Sequence, residues 1–218
     1  MRARLPVLAL TAMLAACEKS PPPFERDGAG WKYRGTPIVV ADPATFTALS
    51  DHYARDRQRA YYADTYRDSK EYFTVSRVRV TPLDGADPAS FRYIDRGYAR
   101  DARHVWLDGE RHDVKDAASF ALLDYVFTRD AATAYCHMKP IAGSDPATFA
   151  VVSSHYAKDR ARVYWCDIEL AGNPPYVKWI AVDADVATFA PADDVPGADA
   201  KDARGRFARG ERIRQGSS

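Results

Sequence analysis

The sequence predicts a mainly β fold with short helices: an α+β, solenoid-like array of tandem repeats in one elongated or curved domain. Three observations predict it. One segment of about twenty residues recurs along the chain, and self-similarity at a regular step marks a repeat architecture. The copies are dense in aromatic residues, drawn from 13 Tyr, 9 Phe and 4 Trp, a load that suits pleated, half-buried strands. Each copy opens on an Asp, followed in three cases by Pro, the pattern of a helix start.

The copies run from Asp42 to Tyr62, Asp87 to Trp106, Asp116 to Cys136 and Asp145 to Trp165. A degenerate fifth begins at Asp185 and resumes at Ala200, and the first strand of a preceding half-copy is read at Trp31 to Val40. Phe91, Phe120 and Phe149 fall at a constant step of 29 residues, whereas Phe46 to Phe91 spans 45 and Phe149 to Phe189 spans 40, so two connections carry insertions. Within a copy, Asp42, Asp87, Asp116, Asp145 and Asp185 are read as N-caps, with Pro43, Pro88 and Pro146 in the first helical position, where a missing N–H costs nothing. The helix of about two turns that follows would carry Phe46 and Leu49 inward and is too short to stand alone.

A strand comes next, ending in Tyr-Ala-Arg/Lys-Asp. Asp56, Asp101, Asp130, Asp159 and Asp202 precede a turn, where a carboxylate can accept from the backbone N–H two residues on. The chain returns through Tyr61-Tyr62, Val105-Trp106 and their equivalents, and Asp108-Gly109 signals a further hairpin. No unit can bury its own apolar face, so stacking is expected to align Phe46, Phe91, Phe120, Phe149 and Phe189 in one row and Tyr53, Tyr98, Phe127 and Tyr156 in another. Arg55, Arg100, Arg129, Lys158 and Lys201 are expected to offset the ladder of aspartates.

The N-terminus points to export. Arg2 and Arg4 precede a short apolar run, Leu5 to Leu14, well under the roughly twenty residues of a membrane span. Small residues and Cys17 follow, a secretory signal pattern over residues 1–16. The stretch Leu14-Ala15-Ala16-Cys17 resembles the lipobox of bacterial lipoproteins, which implies cleavage before Cys17, acylation of Cys17 and a lipid anchor. Glu18 rather than Asp at the next position favours the outer membrane, with the chain facing the periplasm. Residues 17–30 then read as lipidated Cys and tether, extended by Pro21 to Pro23 and loosened by Gly28 and Gly30; residues 31–207 form the repeat domain and 208–218 a tail.

The stretch Tyr53-Ala54-Arg55-Asp56-Arg57-Gln58-Arg59-Ala60-Tyr61-Tyr62 resembles the DKNYY family, named for repeated segments of this kind with an Ala-Asp-x-x-(Ser/Thr)-Phe segment before each. The resemblance covers roughly residues 31 to 207. It departs from the family name at Arg57-Gln58, Ala102-Arg103, Ala131-Ala132 and Arg160-Ala161, all within the turn. The family implies an architecture and no activity.

Chemistry-bearing residues are weighed against that repeat. With Arg2 and Arg4 removed, 29 basic side chains face 30 acidic ones, which offers no electrostatic footprint for nucleic acid. Ser50-Asp51-His52 holds the three residue types of a hydrolase triad, but adjacent residues cannot converge in triad geometry. His52 and His155 share one repeat position, held elsewhere by Gly97 and Val126. His104 and His112 flank a turn, and two imidazoles make a weak metal site. Cys136 and Cys166 form a candidate disulfide in an oxidising periplasm, although an offset of one residue between the two copies points them to opposite faces of aligned strands. Trp106, Trp165 and Trp179 form a candidate aromatic contact surface. No catalytic residue, cofactor or metal ligand is assigned. The expected function is an envelope-anchored, non-enzymatic scaffold or interaction module with an envelope protein as partner; the alternative is a ligand module for glycan, peptidoglycan fragment or metal. Oligomeric state is left open.

Overall fold

The computed structural model describes residues 22–67, 70, 74–192 and 196–213. The described residues form six separate antiparallel sheets. Sheet one has three strands, β1 (Phe24–Asp27), β2 (Gly30–Tyr33) and β3 (Thr36–Ile38). Sheet two has β4 (Thr47–Ala48), β5 (Tyr53–Arg55), β6 (Ala60–Arg67) and β7 (Ser76–Pro82). Sheet three has β8 (Arg92–Asp95), β9 (Tyr98–Arg100), β10 (Val105–Leu107) and β11 (Glu110–His112). Sheet four has β12 (Ala121–Leu122), β13 (Phe127–Arg129), β14 (Ala134–Cys136) and β15 (Lys139–Ile141). Sheet five has β16 (Ala150–Ser153), β17 (Tyr156–Lys158), β18 (Val163–Glu169) and β19 (Tyr176–Val182). Sheet six has β20 (Ala190–Pro191), β21 (Ala200–Asp202), β22 (Gly205–Ala208) and β23 (Glu211–Arg212). Every sheet is a simple meander, each strand pairing with its neighbours in sequence.

The expected α+β, solenoid-like array is corrected here on both counts. Among the described residues there is no α-helix, and the only helical turn among the five Asp-headed segments assigned as such is the three-residue 3-10 turn Ala117–Ser119. The reason is local. Oδ1 of each leading Asp accepts from the N–H two residues on, at 3.2 Å in Asp42–Ala44 and 3.0 Å in Asp185–Ala187, which closes a single turn. The chain then becomes extended within a residue, as at Phe120 with φ −57 and ψ 130. The array is also not a solenoid of continuous sheets, because among the described residues no strand of one unit pairs with a strand of the next.

The sheets instead share cores face to face. Phe24 and Tyr33 of sheet one pack with Phe46, Ala54 and Tyr61 of the second unit. Tyr53 and Ala60 face the other way, toward Phe91, Ala99 and Trp106. The same division repeats along the chain: Val105 joins Phe120 and Tyr135, Cys136 joins Phe149 and Tyr164, and Trp165 joins Phe189 and Phe207. A strand whose side chains alternate between two sides thus supplies two different cores. The expected rows of aromatics are interleaved: Tyr53 meets Phe91 at 5.9 Å, Tyr98 meets Phe120 at 5.8 Å, Phe127 meets Phe149 at 5.9 Å and Tyr156 meets Phe189 at 5.2 Å between ring centres.

The sheet-forming chain extends beyond residues 31–207 on both sides. Strand β1 lies inside the stretch read as tether, with Phe24 buried, and β23 lies inside the stretch read as tail. The Asp108-Gly109 hairpin is present, both residues at positive φ, and Arg34-Gly35, His137-Met138 and Arg209-Gly210 make equivalent turns. The insertions lie within the two long connections and at that turn: units two and five replace it by the long hairpins β6–β7 and β18–β19.

Candidate functional site

The recurring polar residues build one device, an aspartate clasp. In the second unit Oδ1 of Asp56 accepts from the N–H groups of Gln58 and Arg59, both at 2.7 Å. This is the turn role read from the sequence. Oδ2 accepts from the N–H of Asp42 at 2.8 Å and from the Tyr61 phenol at 2.6 Å, two partners the reading missed. The clasp recurs at Asp101, Asp130, Asp159 and Asp202, each taking the N–H of Asp87, Asp116, Asp145 or Asp185 at 2.8–2.9 Å. A hydroxyl closes the ring: Ser119 Oγ donates to Asp116 at 2.6 Å and accepts from the N–H of Ala131 at 2.7 Å. Tyr135 and Tyr164 repeat the phenol; Trp106 and Phe207 cannot. There His104 stands 3.6 Å from Asp101, and the Arg212 guanidinium donates to both oxygens of Asp202 at 3.2 and 3.3 Å.

Four of these aspartates are almost wholly buried. Burial opposes their charge, but the phenol and backbone donors outweigh it and hold Asp56, Asp130 and Asp159 below the usual carboxylate range, as backbone donors and His104 do for Asp101. Asp202, against the same opposition from burial, is held at about 2 by Arg212 and backbone N–H groups. Reciprocally, burial and then Asp56 push Tyr61 up to about 12.

Four of the cations expected to offset the aspartate ladder, Arg55, Arg100, Arg129 and Lys158, instead tie units together. The guanidinium of Arg55 donates to the carbonyls of Pro88, Ala89 and Phe91 in the next unit at 2.6–3.3 Å. Arg100 reaches the Ala117 carbonyl at 2.7 Å, Arg129 that of Pro146, and Lys158 that of Val186 at 3.0 Å. Two tyrosines act similarly: Tyr53 donates to the Gly97 carbonyl at 2.9 Å and accepts from the Gly109 N–H at 2.8 Å, while Tyr156 joins Asp199 and the Gly210 N–H, both at 2.8 Å.

His52 and His155 acquire a structural explanation. Their ring Nδ1 donates to the carbonyls of Ala63 at 2.8 Å and Cys166 at 3.2 Å. These are the two units in which the third strand runs straight on into a long hairpin, whereas those with Gly97 and Val126 turn tightly at Asp108 and His137. Ser50 Oγ accepts from the N–H groups of His52 and Tyr53 at 3.2 and 3.0 Å, so Ser50-Asp51-His52 forms a turn. His112 sits opposite Val105 in the ladder, and His104 turns to Asp101 and the Trp106 ring.

Cys136 and Cys166 form a disulfide, with Cα atoms 6.3 Å apart. The one-residue offset is what permits it. Packed face to face, sheet four must offer a residue on its forward face and sheet five one on its rear face. Aligned positions lie on the same face, so the bridging pair must differ by one. The candidate aromatic surface of Trp106, Trp165 and Trp179 is not formed: Trp106 is 1% and Trp165 3% exposed, and half-buried Trp179 packs on the core beside Tyr164. Burial on both sheet faces is the reason. Cys17 lies outside the described residues.

Among the described residues no group of three or more His, Cys, Asp or Glu side chains converges to hold a metal. Burial keeps the His137 imidazole below its ordinary range despite Asp167 and Asp124 nearby. Two equivalent clefts open at unit junctions. One, of about 300 Å³, is lined by Thr45, Arg55, Asp56 and Pro88; the other, of about 380 Å³, by the corresponding Ser119, Arg129, Asp130 and Pro146. No protein-family model matches the chain, and no match was found among curated proteins or solved structures.

Proposed function

We propose that this protein is an exported, lipid-anchored envelope lipoprotein, facing the periplasm, that acts as a non-enzymatic scaffold or protein-interaction module. One observation carries the reading. The polar side chains that recur with the repeat are engaged in building the array: aspartates in clasps, cations and tyrosines in inter-unit bonds. What remains for function is surface, and its exposed apolar side chains include Tyr66 and Val75 on one long hairpin and Ile168, Leu170 and Tyr176 on the other, beside Val39, Tyr125 and Ile213 elsewhere. Kinship with the DKNYY family belongs to this proposal and rests on the repeated segments alone. Replacing Cys17 by Ala tests the anchor: the variant is expected to leave the membrane fraction, and its retention after salt and carbonate washes would contradict acyl anchoring.

The equivalent junction clefts favour a second reading, a module that binds a glycan or peptidoglycan fragment along the array. Titration calorimetry with peptidoglycan fragments discriminates the two. Saturable heat that Thr45→Ala and Ser119→Ala abolish would move the assignment to the ligand module.

A further inference from the structure

We propose that β19 is a pairing edge through which two copies of this chain join into a continuous antiparallel sheet. The inference is independent of the anchor. It begins from the outer strands of the six sheets, which carry different protection. A sheet edge presents unpaired N–H and C=O groups, and natural proteins guard it with short strands, charges and Pro. Strands β3, β11, β15 and β23 have three residues or fewer and hold Pro37, Arg111, Lys139 with Pro140, and Glu211 with Arg212. On the opposite edges β4, β12 and β20 have two residues each, β8 is Arg-Tyr-Ile-Asp, and β16 is broken by a register shift between Val151 and Ser153. Long β7 carries Arg77 and Arg79 and ends at Pro82. Among the described residues, β19 alone is long, free of Pro and singly charged: Tyr-Val-Lys-Trp-Ile-Ala-Val over seven residues.

The ladder shows which groups β19 offers. The N–H of Cys166 donates to the His155 carbonyl at 2.9 Å, so even-numbered residues of β18 point back toward β17 and odd-numbered ones toward β19. Their partners Tyr176, Lys178 and Ile180 therefore face β18, and Val177, Trp179 and Ala181 face outward. Lys139 reaches the Val177 carbonyl from outside at 3.2 Å, in agreement with that parity. Trp179 and Ala181 have outward backbone groups without a partner among the described residues.

A second copy suits this edge. Antiparallel pairing about a two-fold axis at Trp179 sets Val177 opposite Ala181 of the partner and Lys178 opposite Ile180, so no like charges meet. Lys178 already has Asp167 as its neighbour within the sheet. The same operation on β7, centred on outward-facing Val78, would set Arg77 opposite Arg79 of the partner, which disfavours pairing there.

Sedimentation equilibrium on the purified full chain in mild detergent, disulfide intact, tests the proposal. A monomer–dimer equilibrium is expected. Ala181→Pro removes one outward N–H and leaves the bonds to β18, and Ala181→Lys places a charge at an exposed position of the edge; each is expected to weaken association by at least about tenfold with an unchanged far-UV spectrum. Hydrogen exchange on the unaltered chain gives a second reading, since the Trp179 and Ala181 amides should gain protection as concentration rises. A chain that stays monomeric, a dimer that survives both substitutions, or amides at Trp179 and Ala181 that exchange equally fast in the dimer would each overturn the proposal. Protection of those amides only when another envelope protein is added would reassign the edge to that partner.

Discussion

The phenol of Tyr61 donates to Oδ2 of Asp56 at 2.6 Å, five residues earlier in the chain, and Tyr164 and Asp159 repeat the pair at 2.7 Å. The bond joins the return strand of a unit to the turn that begins it, and the same oxygen holds the N–H of the leading Asp. Tyr135→Phe removes the equivalent bond to Asp130 and should cost about 1.5–3 kcal/mol, the range for a hydrogen bond to a charged group. Asp130→Ala should cost more, because it strands the N–H groups of Asp116, Ala132 and Thr133 as well. Denaturant titration of both variants checks the order; equal losses would contradict a shared clasp.

Stability should fall in acid. Asp56, Asp101, Asp130, Asp159 and Asp202 have folded values below their unfolded ones. A carboxylate depressed by folding contributes stability that is present above its unfolded value, near 4, and is lost as pH falls through the folded value, about 2 for Asp202. Thermal unfolding from neutral pH downward should therefore show a plateau and then a decline below about pH 4. A melting temperature that rose in this window would contradict the assignment.

An alkaline limit has the opposite sign. Burial raises Tyr61 and Tyr62 to about 12, and Tyr53, Tyr135, Tyr156 and Tyr164 also shift upward. Their contribution is full below the unfolded value near 10 and is lost as pH rises through the folded values. Ultraviolet titration should show tyrosines ionising late and together with unfolding.

Reduction of the disulfide should destabilise the array. Cys136 and Cys166 are 30 residues apart, and closing such a loop restricts the unfolded chain by about 3–4 kcal/mol in the chain-entropy model. The alanine double variant should lose a comparable amount in denaturant titration, and an unchanged midpoint would contradict it.

Gly109 and Gly210 hold matched positions. Both have positive φ, and an added Cβ would lie 2.6 Å from the Tyr62 ring or 2.8 Å from Trp165. Gly109→Ala and Gly210→Ala should each destabilise by more than the roughly 1 kcal/mol typical of a point substitution. Calorimetric melting of the two variants tests the point.

Much of the plan is legible in the residues themselves. The 29-residue step, the Asp turn at Asp56 and its equivalents, and the Asp108-Gly109 hairpin all appear in the structure where the spacing puts them. The helices do not, because Asp-Pro-Ala-Thr satisfies its N–H donors through the carboxylate and the backbone carbonyl of the Asp within one turn. The Asp-to-Tyr spacing of five was visible in three copies, but only the fold shows that phenol and carboxylate meet. Trp106 and Trp165 look like surface aromatics only if one face of each sheet is wet; here both faces are packed. The same fact turns the Cys136–Cys166 offset from an obstacle into a requirement.

The central claim is that the array is an envelope interaction module, and crosslinking in living cells tests it most directly. Tagged chain with Cys17 intact is crosslinked, captured from solubilised envelopes and identified by mass spectrometry. The account predicts a protein partner, a second copy or one abundant envelope protein, at near-equal amount. Recovery of no protein partner, with glycan or metal co-purifying instead, would contradict it.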